Sequence, residues 1–169
     1  MRNRVLYILL GIGVVLVLVY PKIKKRVDRE NFQKYLDSLP TYAMDLSTPQ
    51  GAILCLEDAY QRKDIEAAVA CKDFTLEAML MSEDKDPNVF DEEVIDKLAE
   101  TLELAFREGI EDSWPDFEGL KSYFDSQEPY QENVVIVTEV CRYPDGGYSR
   151  QRILVGKTEN EWKVLYPLD

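Results

Sequence analysis

The 169-residue chain contains no histidine, and that sets the first limit on its chemistry. Without imidazole, the commonest general base, the Ser-His and Cys-His nucleophile pairs and most zinc sites are lost together. Three cysteines, Cys55, Cys71 and Cys141, include no C-x-x-C pair. An odd number argues against a closed disulfide framework and agrees with a reducing compartment, while leaving a Cys55–Cys71 bridge across two helices open. The groups left for acid–base work are carboxylates such as Asp112 and Asp116 and the phenols Tyr123, Tyr130 and Tyr143, which stand at no diagnostic spacing. The run Trp114-Pro115-Asp116-Phe117 reads as an aromatic plug between two halves of the chain rather than as a substrate platform. No catalytic set, metal or cofactor is expected. The candidate residues form a binding surface: Glu111, Asp112, Trp114, Asp116 and Tyr148.

Charge says what such a surface would meet. The chain has 20 Lys+Arg against 32 Asp+Glu, and seven of the cations fall within residues 1 to 30 with only Asp28 and Glu30 against them. The other 139 residues carry 13 cations and 30 anions, a net of −17. A domain this acidic repels nucleic acid and anionic headgroups, both of which need cationic patches to neutralise phosphate. It suits a basic protein partner, and a homodimer is compatible with it.

The elements that must position these residues fall into three parts. Residues 1–26 read as a membrane anchor: Val5 to Tyr20 is an uncharged apolar run between Arg2 and Arg4 on one side and Lys22, Lys24, Lys25, Arg26 and Arg29 on the other. Sixteen residues span roughly 24 Å as a helix, short of a hydrocarbon core of about 30 Å, with snorkelling Lys and Arg stems covering the shortfall. A secretory signal peptide is the competing reading, but Val19-Tyr20-Pro21-Lys22 offers no small-x-small cleavage site. The excess of cations after the run favours a single-pass protein with its C-terminal domain in the cytoplasm. Residues 27–47 read as a juxtamembrane helix, Val27 to Leu39, stopped by Pro40 and followed by a linker.

Residues 48–169 read as helices and then a sheet. Thr48-Pro49 caps a helix running to Lys63 with Ala52, Ile53, Leu56, Ala59 and Tyr60 on one face. Asp64 caps a second helix, and a third short turn follows at Leu76, Met79 and Leu80. Asp91 starts the longest helix, with Val94, Ile95, Leu98, Leu102, Ala105 and Phe106 inward, Glu103 and Arg107 among its outward residues, and Gly109 at its end. From Gly119 the period changes to β-type, with turns expected at Glu128-Pro129, at Pro144 to Gly147 and at Thr158-Glu159-Asn160. Strands Asn133–Tyr143, Tyr148–Lys157 and Glu161–Tyr166 should form an antiparallel meander.

The phrases TPQGAILCLEDAYQRKDIEAAVACKDF at 48–74 and TENEWKVLYPL at 158–168 resemble the nuclear-transport-factor-2-like superfamily. The resemblance covers about residues 48 to 168. It implies an α+β class in which the anchor helix is followed by a cone-shaped domain, a curved antiparallel sheet with helices closing one side. DAYQRKDIEAAVACKDF, EVIDKLAETLELAF, DFEGL and VTEVCRYPDGGYSRQRILVGKTENEWKVL look most like bacterial immunity proteins of this fold, which implies neutralisation of a toxin by occlusion. A membrane anchor departs from that pattern. Two other readings come from the same superfamily: a bitopic assembly subunit similar in layout to the inner-membrane protein of type IV secretion systems, and, third, a small-ligand or isomerase-like enzyme.

Overall fold

The computed structural model describes residues 28–83 and 91–168. The apolar run 5–20, its basic flanks apart from Arg29 and most of the SEDKDPN break lie outside them. The chain divides into two units that part between Leu39 and Pro40. In the first, a helix α1 at residues 28–37 stacks the rings of Phe32 and Tyr35 at 6.2 Å and ends ahead of Pro40.

The second unit is α+β. Four helices, α2 (Pro49–Arg62), α3 (Ile65–Ala70), α4 (Phe74–Glu83) and α5 (Glu92–Asp112), precede four strands, β1 (Lys121–Gln131), β2 (Val134–Arg142), β3 (Tyr148–Thr158) and β4 (Glu161–Pro167). Side-chain caps start three of the helices: Thr48 Oγ1 accepts the Gly51 N–H at 3.0 Å, Asp64 Oδ1 the Ala67 N–H at 3.0 Å, and Asp91 Oδ1 the Glu93 N–H at 3.1 Å. Lys63, at φ 53°, closes α2 in the left-handed region.

The strands form one antiparallel sheet in the order β1-β2-β3-β4. Asn133 makes the first hairpin turn at φ 60°, Gly146 the second at φ 79°, and Glu159 and Asn160 the third at φ 53° and 74°. Glu128-Pro129 is not a turn: both residues lie inside β1, where Pro129 is tolerated because β1 is an edge strand and the register shifts between Pro129 and Gln131.

Helices cover both faces of the sheet, which corrects the expected cone closed on one side. Ala52, Ile53, Leu56 and Ala59 of α2 pack with Val137, Ile153, Val155 and Val164. Leu76 and Leu80 of α4 pack with Val134, Ile136, Leu154 and Leu165, residues that point the opposite way from the pleat. The reason lies in β2 and β3, whose runs VVIVTEVC and ILVG are continuously apolar apart from isolated polar positions, so both of their faces need cover. Gly156 belongs to the α4 face, where a β-carbon would stand 2.3 Å from Leu76 Cδ2.

The expected fold class is corrected in a second respect. Among the described residues no helix is long and apolar enough to cross a membrane. The longest of them, α5, is amphipathic, with charges along most of its outer face. Its apolar stripe is also rotated from expectation: Val94 and Ala105 are exposed, Glu103 and Arg107 are half-buried, and Ala99 and Ile110 go inside. Arg107 is drawn inward by Glu103 at 2.8 Å and by Glu66 of α3 at 2.7 Å. Gly109 does not end α5, which continues to Asp112.

Residues 40–47, expected as a linker, are seated on the domain. The Trp162 N–H of β4 donates to Leu46 O at 2.8 Å, and Tyr42 meets Phe124 edge to face at 5.6 Å. The same segment comes so close to α2 that a β-carbon on Gly51 would lie 2.3 Å from Asp45 O and 2.6 Å from Ala43 O. In an open helix Gly to Ala gains about 1 kcal/mol from propensity. Here the neighbours are backbone carbonyls, so Gly51→Ala is expected to destabilise by about 1–3 kcal/mol instead. Chemical denaturation checks the sign; a stabilised variant would show that the segment does not hold this seat.

Candidate functional site

Three places in the second unit gather chemistry-bearing side chains. The largest is a groove of about 700 Å³ between the start of α4, the middle of α5 and the β3–β4 hairpin. Six carboxylates line it, Asp73, Asp96, Glu100, Glu103, Glu159 and Glu161, with two lysines, Lys72 and Lys163. Both lysines are already paired, Lys72 with an acid outside the groove and Lys163 with one inside it. Lys72 Nζ pairs with Glu77 at 2.8 Å, with side chains only 8% and 11% exposed, and lies 5.5 Å from the Phe74 ring centroid and 5.6 Å from that of Phe106. Lys163 pairs with Glu161 at 2.8 Å and donates to Ala70 O at 2.9 Å. Some of the acids also have structural duties: Asp73 receives the Leu76 N–H at the start of α4 and the Thr158 hydroxyl at 2.6 Å, and Glu103 holds Arg107. Asp96, Glu100 and Glu159 are exposed and have no ion-pair partner among the described residues. The groove thus presents uncompensated negative charge.

The second place is a cleft of about 460 Å³ between the end of α2 and the 113–120 segment. It brings together two of the sequence-selected residues, Trp114 and Asp116. Trp114 is half-buried against the main core, Tyr60 stacks on Phe117 at 5.6 Å, and Asp116 Oδ1 accepts the Glu118 N–H at 3.0 Å. The segment is therefore an aromatic plug with a local Asx turn. Burial pushes the Tyr60 hydroxyl up to about 12. Glu111 and Asp112 are exposed in the last turn of α5, and Tyr148 is half-buried at the start of β3 opposite Arg142; none of the three lines the groove or the cleft.

The third place escaped the sequence reading. Glu57, on the buried face of α2, meets Glu139 of β2, which is 0% exposed. The Ser122 hydroxyl donates to Glu57 Oε1 at 2.7 Å, and the Gln151 amide donates to Glu139 Oε2 at 2.6 Å. The strand register produces this set, placing Gln151 opposite Glu139 and Ser122 opposite Cys141. One donor atom each from Glu57, Glu139 and Cys141 fall within 4.8 Å of one another. Glu139 Oε1 has no hydrogen-bond partner. Burial, then the neighbouring Glu139 charge, pushes the Glu57 carboxyl up to about 9, and burial with the two carboxylates pushes the Cys141 thiol up to about 12. Two signals could have revealed the pair: Glu57 falls within the apolar arc of α2, and Glu139 interrupts an otherwise apolar strand. All three cysteines are free thiols, so the bridge left open between Cys55 and Cys71 is not formed.

Comparisons with protein-family models, with curated proteins and with solved structures returned no match. The likeness to the nuclear-transport-factor-2-like superfamily rests on the phrases quoted for it.

Two expected outcomes follow from these buried charges. Glu57 holds its proton more tightly folded than unfolded, where its pKa is near 4.5, so its contribution to stability is complete below pH 4.5 and is lost as pH rises toward 9. About 1.4 kcal/mol is at stake per pH unit of difference. In EDTA-containing buffer the melting temperature should fall between pH 6 and pH 9, and Glu57→Gln should flatten that slope; an equal slope in the variant overturns the assignment. Separately, Lys72→Met strands Glu77 in a buried site and should cost about 3–5 kcal/mol, whereas Lys72→Met with Glu77→Leu should recover most of the loss. Urea melts of the two variants compare them directly.

Proposed function

We propose that this chain is a protein-binding module that receives a cationic partner along the acidic groove of α4, α5 and the β3–β4 hairpin. One observation carries the reading: three of the groove's six carboxylates, Asp96, Glu100 and Glu159, are exposed and have no ion-pair partner among the described residues. A basic surface laid into it would neutralise Asp96, Glu100 and Glu159. Oriented charge of this kind mainly raises the rate of encounter and excludes partners of the wrong sign. The composition supports the same reading, with a net of −17 over the last 139 residues.

The end of α5 adds weight. Glu108, Glu111 and Asp112 sit in its last turns, where the helix dipole disfavours anions, and the last turn itself holds no basic residue. A cationic partner reaching that end would relieve the repulsion. In its most specific form the module is an immunity protein that covers a basic toxin, the form that the resemblance of the α2–α3 and β2–β4 phrases implies. The candidate surface then extends from the groove toward Glu111 and Asp112.

The test begins with the full-length chain as bait in its host, at low salt. A single basic protein is expected, released as ionic strength rises over the range in which the Debye length falls below about 10 Å. With that protein purified, the triple reversal Asp96→Lys, Glu100→Lys, Glu159→Lys should slow association by about tenfold or more while circular dichroism and the melt stay unchanged. Co-expression that rescues growth from the partner identifies an immunity pair, whereas a multi-subunit complex identifies an assembly subunit. An unchanged association rate with an intact fold removes the groove from the interface.

A further inference from the structure

We propose that Glu57, Glu139 and Cys141 form a divalent metal site of the zinc class that ties helix α2 to strand β2. No metal is expected of a chain without histidine, but the fold assembles a donor set from three separated positions.

The geometry comes first. The three donor atoms lie within 4.8 Å of one another. Zinc bonds carboxylate oxygen at about 2.0–2.2 Å and thiolate sulfur at about 2.3 Å, so closing these donors on one ion takes movements of under about 1 Å. Such a set of two hard oxygens and one soft sulfur suits a borderline ion such as zinc better than calcium or magnesium, which take oxygen alone.

A second, independent observation points into the same spot. Glu139 is 0% exposed, and apart from the Glu57 carboxyl and the Cys141 thiol, the other two members of the set, its Oε1 meets no hydrogen-bond donor. Its other oxygen is fixed by the Gln151 amide at 2.6 Å, so the free oxygen has a set direction. Glu57 is fixed in the same manner by the Ser122 hydroxyl. Each carboxylate therefore has a polar neighbour holding one oxygen, the arrangement that orients metal ligands in built sites. No lysine or arginine is paired to either carboxyl among the described residues, so no side-chain cation occupies the place of the metal.

The acidic groove is the decoy that a test must separate, because exposed carboxylates collect divalent ions weakly without any thiol. Cobalt(II) makes the distinction. Added to the full-length chain treated with chelator and reductant, one equivalent should give the visible bands of a tetrahedral ion together with a near-ultraviolet thiolate-to-cobalt charge-transfer band. One equivalent of zinc should abolish both. Cys141→Ser should lose the charge-transfer band, and the double variant Cys55→Ser, Cys71→Ser should keep it. Gln151→Ala, which removes no ligand but frees Glu139 from the amide that orients it, should weaken zinc affinity about 10–100-fold. Zinc should also raise the melting temperature of the wild-type chain and leave that of Cys141→Ser nearly unchanged. Should Cys141→Ser fail to fold, the wild-type spectrum and the Cys55, Cys71 double variant decide the matter. A wild-type chain with no stoichiometric uptake, or with uptake but no thiolate band, overturns the site.

Discussion

Strand β2 has almost no side exposed to water, and the rest of the second unit is arranged around that constraint. It is paired on both edges, by β1 and by β3, while α2 covers one of its faces and residues Leu76 and Leu80 of α4 reach the other. Most of its length can meet this demand with valine and isoleucine. Where it cannot, at Glu139, the neighbouring elements have to supply the polarity, and they do so at matched positions: Gln151 from the next strand and Glu57 from the helix above. A polar residue at the centre of a sheet thus dictates residue types on two other elements. The fold tolerates it only as a group.

The outside follows a different logic. Inside, charges are few and held by named partners, as with Lys72 against Glu77 between aromatic rings. Outside, α5 carries acids from its first turn to its last, and cations appear chiefly where a structural acid needs one, as with Arg62 between Asp58 and Asp64. Exposed pairs of this kind contribute little to stability. Their main effect is to use up the positive charge, so that the field over the α5 side stays negative.

Local chemistry was readable from the chain and long-range pairing was not. Thr48, Asp64 and Asp91 announce helix starts because a capping side chain acts on the next three residues only, and the hairpin turns at Gly146 and at Glu159-Asn160 announce themselves for the same reason. Glu128-Pro129 misled because proline breaks a central ladder but not an edge strand. The stripe of α5 came out rotated because its packed side is shared with α3, whose Glu66 draws Arg107 inward; periodicity within one helix cannot register a partner 41 residues away. Glu57 and Glu139 were missed on the same grounds, being 82 positions apart in sequence and joined only once α2 lies on the sheet. The residues picked for a binding surface were chosen for exposure and charge, and the fold gathers only Trp114 and Asp116 of them into one cleft.

The outer border of β4 has a bearing on self-association. Its backbone is already engaged there by the Leu46 and Cys71 carbonyls, each accepting a main-chain N–H at 2.8 Å, from Trp162 and Val164. At the opposite border β1 carries a proline and two breaks in register. Neither border offers a second molecule an uninterrupted row of amides and carbonyls, so continuous growth of the sheet from chain to chain is blocked at both ends. Copies of this domain that meet in a crowded cell are therefore left to interact through side chains. Over the α5 side those side chains are acidic on both molecules, and like copies repel there.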